Sequence, residues 1–141
     1  MSVSVGYPGI DITVTISDSS ISAYRILQGD TTDTTNALVV MKAATAETTK
    51  PLAVTQEATT AADAQCVVRI SGVAEVEVNG SGTAIDIGTS ICASTGGVGV
   101  SSSTPDNAQQ WAIGYALEPS AASGDVIKVL VAPHLIVKGA S

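Results

Sequence analysis

His134 is the only histidine in the 141 residues, so any imidazole base in this chain must be that one. Serine hydrolysis would need it beside an activated serine, with a carboxylate orienting the ring. It directly follows Pro133, and no Gly-x-Ser-x-Gly elbow occurs anywhere in the chain. The plainer reading is a structural or solvated imidazole. Glu75 and Glu77 alternate with Ala74, Val76 and Val78, which puts both carboxylates on one strand face, Cα atoms roughly 6.5 Å apart. Paired carboxylates can act as acid and base on a glycoside. On a strand they more often form its wet face and discourage pairing with other chains.

Metal and phosphate chemistry fare no better. The run DTTDTTN carries Asp30, Asp33 and Asn36, but not the spacing of a calcium loop, and reads as a polar loop. The glycines of NGSG and GGVG lack the Lys-Ser/Thr of a phosphate loop, so they read as turn glycines. Cys66 and Cys92 fall in the apolar runs CVVRI and TSIC, where free thiols behave as small hydrophobes. A disulfide between them stays open, because spacing along the chain does not measure separation in space. Two cysteines and one remote histidine do not make a zinc site. No catalytic residue, cofactor site, metal site or small-molecule substrate is assigned, and the chain reads as a non-enzyme.

The elements around these residues are strands. Ile10, Ile12, Val14 and Ile16 alternate with Asp11, Thr13 and Thr15, the pattern of a half-buried strand. Further strand signals fall at Ala23–Leu27, at Leu38–Lys42, whose apolar LVVM suits a central buried strand, at Leu52–Thr55 and at Cys66–Ile70. Ser71-Gly72 reads as a turn before Val73–Val78. Asn79-Gly80 is the strongest hairpin signal, since type I′ turns need positive φ at both central residues. Ile85–Ile87, Thr89–Cys92, Val98–Val100, Trp111–Leu117 and Val126–Val131 follow, then a last apolar tail at His134–Lys138. Glu57–Gln65 and the residues after Pro105 could each form one helical turn. Roughly ten short strands with turns between them predict one all-β domain over 1–141, a single compact sandwich or barrel with little helix.

Composition bounds what such a domain can be for. Apolar residues are 45% of the chain but aromatics only 3%, with no Phe, so Val, Ile, Leu and Ala must fill a thin core. Charged residues are 13%, about half the usual share, which leaves a surface of hydroxyls, amides and backbone suited to contact with protein. The net charge is −7 and the six cations are scattered, so the clustered basic footprint of a nucleic-acid binder is missing. No apolar run approaches the ~20 residues of a membrane span, and MSVSVGYPG does not read as a secretory signal.

Four segments carry a resemblance: PLAVTQEA (51–58), VVRISGVAEVEV (67–78), AIDIGTSI (84–91) and WAIGYALEPSAASGDVIKVLVAP (111–133). In these the chain resembles the small capsid decoration, or cement, proteins of tailed bacteriophages, in the family formerly mislabelled recombinase-like. The most telling is IGYALE, a small-residue connection, then Gly124-Asp125 and a Val-rich strand. The resemblance covers about 80 residues, a cement-like core over 51–133. It implies an all-β core, a virion protein on the outer capsid surface made in the host cytoplasm, and a homotrimer bound to the major capsid protein. It further implies that the first residues lie along the shell or a neighbouring subunit. Residues 1–22 are then a docking arm or simply a first strand. The contact candidates are Val3, Val5, Tyr7, Ile10, Ile12 and Val14. Trp111 and Tyr115, four apart, share a face in a regular strand and fill the core or a subunit interface.

Two other functions fit less well. An adhesion or carbohydrate-binding module would favour exposed aromatic platforms, and the chain has only three Tyr and one Trp. A small hydrolase lacks a nucleophile–base pair.

Overall fold

A computed structural model describes residues 8–32, 39–102 and 109–137. Among these residues nine strands form one sheet. They are β1 (Gly9–Ile16), β2 (Ile26–Gly29), β3 (Val40–Ala43), β4 (Ala53–Thr55), β5 (Ala64–Asn79), β6 (Ser90–Ala93), β7 (Gly99–Ser101), β8 (Gln109–Ala116) and β9 (Ser123–Val137). Seven are short; β5 has 16 residues and β9 has 15. A 3-10 turn at Thr95–Gly97 is the only helical element among the described residues, and none forms at 57–65. The residues after Pro105 lie outside the described residues through Ala108.

The sheet closes on itself twice. β1 pairs with β3, β3 with β2, β2 with β4, β4 with β5, and β5 back with β1. A second ring runs β5–β7–β6–β8–β9 and returns to β5. Two five-stranded rings thus share one long strand. Closure removes the free edges that make an open sheet prone to aggregate.

Each ring has a core of small aliphatic side chains. Val14, Ile16, Ile21, Leu27, Met41, Ala53, Cys66 and Val68 fill the first. Ala74, Val76, Val78, Ile91, Ile113, Ile127 and Val129 are among those filling the second. β2 and β4 stand between the two: Ile26 and Val54 face the second core, while their neighbours Leu27 and Ala53 face the first. Successive side chains on a strand point to opposite faces, so two short apolar strands can serve both cores. β3 lies between β1 and β2, the central position its run predicted, but of its four residues only Met41 is buried.

Two turn expectations fail, and a segment expected as a tail joins a strand. Ser71-Gly72 is not a turn, because β5 runs straight through it. Gly72 takes φ +91°, and a Cβ there would sit 2.1 Å from the Pro8 carbonyl oxygen. The glycine lets β1 start against β5 at the point where the pairing of β5 with β9 ends: Gly72 pairs with both Gly9 and Val131. Asn79-Gly80 ends β5 without a hairpin. The Asn79 side-chain oxygen instead accepts from the backbone N–H and hydroxyl of Ser81, an Asx turn, and Ile85 bridges to Ser120. The tail at His134–Lys138 is, through Val137, the second half of β9. Pro133 is tolerated inside this strand because the register slips there: Ala132 and Pro133 together oppose Ile113.

Candidate assembly surface

The face of β5, β9 and β8 that points away from the second core carries the largest exposed apolar side chains near one another. Val73, Leu130, Tyr115 and Ser90 lie in cross-strand register on four neighbouring strands. Leu130 and Tyr115 are 40% and 39% exposed, values a core residue never shows. Val126 and Leu117 are exposed beside them, whereas Leu135 and Val137, beyond the register slip, are exposed on the other face, with Trp111. Polar groups interrupt the band: Lys128, in register with Glu75, reaches Glu118 at 3.2 Å.

Tyr115 stacks on His134, ring centroids 4.5 Å apart and planes 13° apart. His134 Nδ1 lies 2.8 Å from the Ala132 carbonyl oxygen, which can only accept, so Nδ1 carries the proton. Nε2 then accepts from the Ser90 hydroxyl at 3.1 Å. Sequence reasoning missed this pair, because Ser90 sits in Gly88-Thr-Ser-Ile-Cys92, which lacks the second glycine of an elbow. A neutral carbonyl occupies the place where a triad has its carboxylate, so the ring is oriented without the charge that stabilises an imidazolium. The pair locks β6 to β9 across β8.

Trp111 is elsewhere. It pairs with Leu135, Lys50 Nζ lies 5.3 Å from its ring centroid, and its backbone N–H donates to the Glu47 carbonyl. Ile113 and Ala116, three apart, both enter the core, so alternation breaks between Trp111 and Tyr115 and the shared face expected for them does not form. Glu75 and Glu77 do share a face, but Glu77 is committed to Arg25 at 3.0 Å.

The N-terminal contact candidates separate by burial. Val3, Val5 and Tyr7 lie outside the described residues. Ile10 is 57% exposed, Ile12 is half-buried against the first core, and Val14 is wholly inside it. Residues 9–16 are therefore a barrel strand, paired with β5 along their length, and Val14 has no surface to offer. Arg69 anchors this strand: its Nε donates to Asp11 Oδ1 at 2.7 Å and Nη2 to Oδ2 at 3.1 Å. That bidentate bond, with the guanidinium charge, holds the Asp11 carboxyl below the usual carboxylate range despite partial burial. Asp33 and Asn36 of the polar run lie outside the described residues. Asp30 caps its own loop through the Ser17 and Thr32 hydroxyls, which lower its pKa strongly.

Cys66 and Cys92 are both buried free thiols. Burial first, then the nearby Glu47 carboxylate, pushes the Cys92 thiol up to about 11. Burial and Glu57 likewise raise Cys66.

A family model described as phage cement protein matches residues 22–131. The chain belongs to that family. The match begins well before residue 51, so β2 and β3, which the sequence left outside the cement-like core, are part of the family fold. Among solved structures, the chain is similar to the head fiber gp8.5 N base of bacteriophage phi29. The two share 20% identity over 89% of this chain and 95% of that one, with a TM-score of 0.64. That likeness concerns the fold. No curated protein matches. As a member of the cement family, the protein is a structural phage protein associated with the virion.

Proposed function

We propose that this cement protein decorates the outer surface of a phage head as a homotrimer and bridges subunits of the major capsid protein. The observation that carries the reading is the exposed apolar band on β8 and β9. Large side chains such as Leu130, Tyr115, Val126 and Leu117 gain about 25 cal/mol per Å² when covered by protein. A second copy covers this band around a threefold axis, with Tyr115 at the interface; Trp111 faces the other way. The shell is then held through the start of the chain, by Val3, Val5, Tyr7 and Ile10, with Ile12 supporting from behind. Many modest contacts repeated over a lattice resist internal pressure through multivalency. The mechanism involves no turnover, and the protein is made in the host cytoplasm before joining the shell.

Light scattering on the purified chain, followed by co-sedimentation with expanded and immature heads, tests this. A trimer that sediments with expanded heads is expected. A monomer that stays in the supernatant with both would reject the proposal.

A further inference from the structure

The end of β9 has a bare edge. Past Val131 the strand leaves β5 and pairs with β8 alone, His134 with Ala112 and Val137 with Gln109. The Trp111 N–H turns away from β9 to the Glu47 carbonyl, so the register pair Trp111–Leu135 exchanges no hydrogen bonds. The N–H and C=O of Leu135 therefore point away from β8, and so does the N–H of Val137 two residues on. The Pro133 carbonyl points the same way, opposed across a trans peptide to the His134 N–H that faces Ala112. None of these groups has a partner among the described residues. Pro133 is exposed, Leu135 is 40% exposed and Val137 61%. In a fold whose sheet closes into rings, an apolar edge of this kind is a template for another strand.

The edge is complementary to itself. When two copies lie antiparallel about a twofold axis at Leu135, each Leu135 N–H meets the Leu135 carbonyl of the other copy. Each Val137 N–H likewise meets the Pro133 carbonyl of the other copy. Pro133 has no N–H to offer and stands at the ends of this ladder, where an edge tolerates proline. The side chains match as well. Trp111 and Leu135 are in register, so their row continues across the axis into Leu135 and Trp111 of the second copy. Each chain carries −7, yet neither residues 109–112 nor residues 132–137 include a carboxylate, so two such chains meet here without facing acids. A twofold pairing also uses up the edge on both copies, and growth stops at two. We infer that the chain self-associates through residues 133–137, with β9 against β9 of a second copy in one sheet of β8–β9–β9–β8. Leu135 and Trp111 lie on the face opposite the Leu130–Tyr115 band, so the contact does not rest on the threefold arrangement.

Light scattering on the full chain from ~10 μM to ~1 mM, the range of a small contact, tests it. The mass of wild type should rise with concentration. In Leu130→Glu, which places a charge on the opposite face, it should rise from one copy to two and stop. Leu135→Pro removes an N–H that takes no part in the β8 ladder, and Leu135→Lys sets like charges opposite each other across the axis. Both should abolish the rise while their melts stay close to wild type. A mass independent of concentration would overturn the inference, as would a rise that survives both Leu135 variants. Growth of Leu130→Glu past two copies would overturn it as well. A rise seen only after residues 1–7 are deleted would reject the second copy and assign the edge to the chain's own start. Leu135→Pro that no longer sediments with heads, when wild type shows no rise, would reject it in favour of a strand of the shell.

Discussion

Asp11 and Arg69 show how much one contact can decide at the scale of residues. Their bidentate bond ties the first residues of β1 to β5. The folded pKa of Asp11 is below its unfolded value, so its contribution is fully present above the unfolded value, near pH 4. That contribution is lost as pH falls through the folded value. The carboxylate is partly exposed, so after solvent screening the stake is no more than about 1 kcal/mol. Asp11→Asn should lower Tm by a few degrees at pH 7, and the gap to wild type should close as pH drops below about 4, measured by thermal melts across pH. The two thiols make a second expectation. Cys92, held up at about 11, stays protonated at neutral pH. Neither cysteine should react with a thiol reagent in the native protein, and both should react in denaturant. Labelling of the folded chain within minutes would contradict the burial of the two cores. The runs CVVRI and TSIC made both thiols legible as core residues. The Ser90–His134 pair was not legible, since 44 residues separate partners that only a cross-strand register brings together.

At the scale of elements, β5 decides the architecture. Its sequence alternates cleanly on both sides of Ser71-Gly72, and local chemistry alone reads that dipeptide as a turn. Gly72 instead bends nothing back. It admits the Pro8 carbonyl and lets one strand serve two rings. Gly72→Ala meets both a positive φ and a backbone clash, so unfolding or a loss of more than about 3 kcal/mol is expected in denaturant melts. Gly114 is similar: a Cβ there would come within 1.8 Å of the Leu130 carbonyl oxygen, across the β8–β9 pairing. Gly114→Ala should be as damaging, and a melt like that of wild type would show that β8 and β9 are not packed so closely. The strand expected over Val126–Val131 and the tail at His134–Lys138 are one element through Val137, because a register slip leaves Pro133 unpaired and the strand continues.

For the whole molecule, the question is which surface meets another protein. If the band is the interface of the proposed trimer, Leu130→Glu, at a position already 40% exposed, dissociates that trimer with little change in Tm. An unchanged mass by light scattering would place the interface elsewhere. Deleting residues 1–7 leaves β1 intact, since that strand begins at Gly9. Weaker co-sedimentation with heads and an unchanged melt are expected; equal occupancy would end the arm proposal.

Read alone, the sequence determined the class of the molecule: an all-β domain with a thin aliphatic core and a family resemblance carried by strand-and-turn segments. Alternation, β-branching and glycine placement are local properties, so they survive in one dimension. Tertiary structure decided the rest. The sheet closes into two rings about β5, β1 becomes a wall strand that takes Val14 out of any docking role, and the end of β9 keeps a bare edge. Each of these depends on which strand pairs with which, a matter of long-range hydrogen bonding that no spacing along the chain encodes.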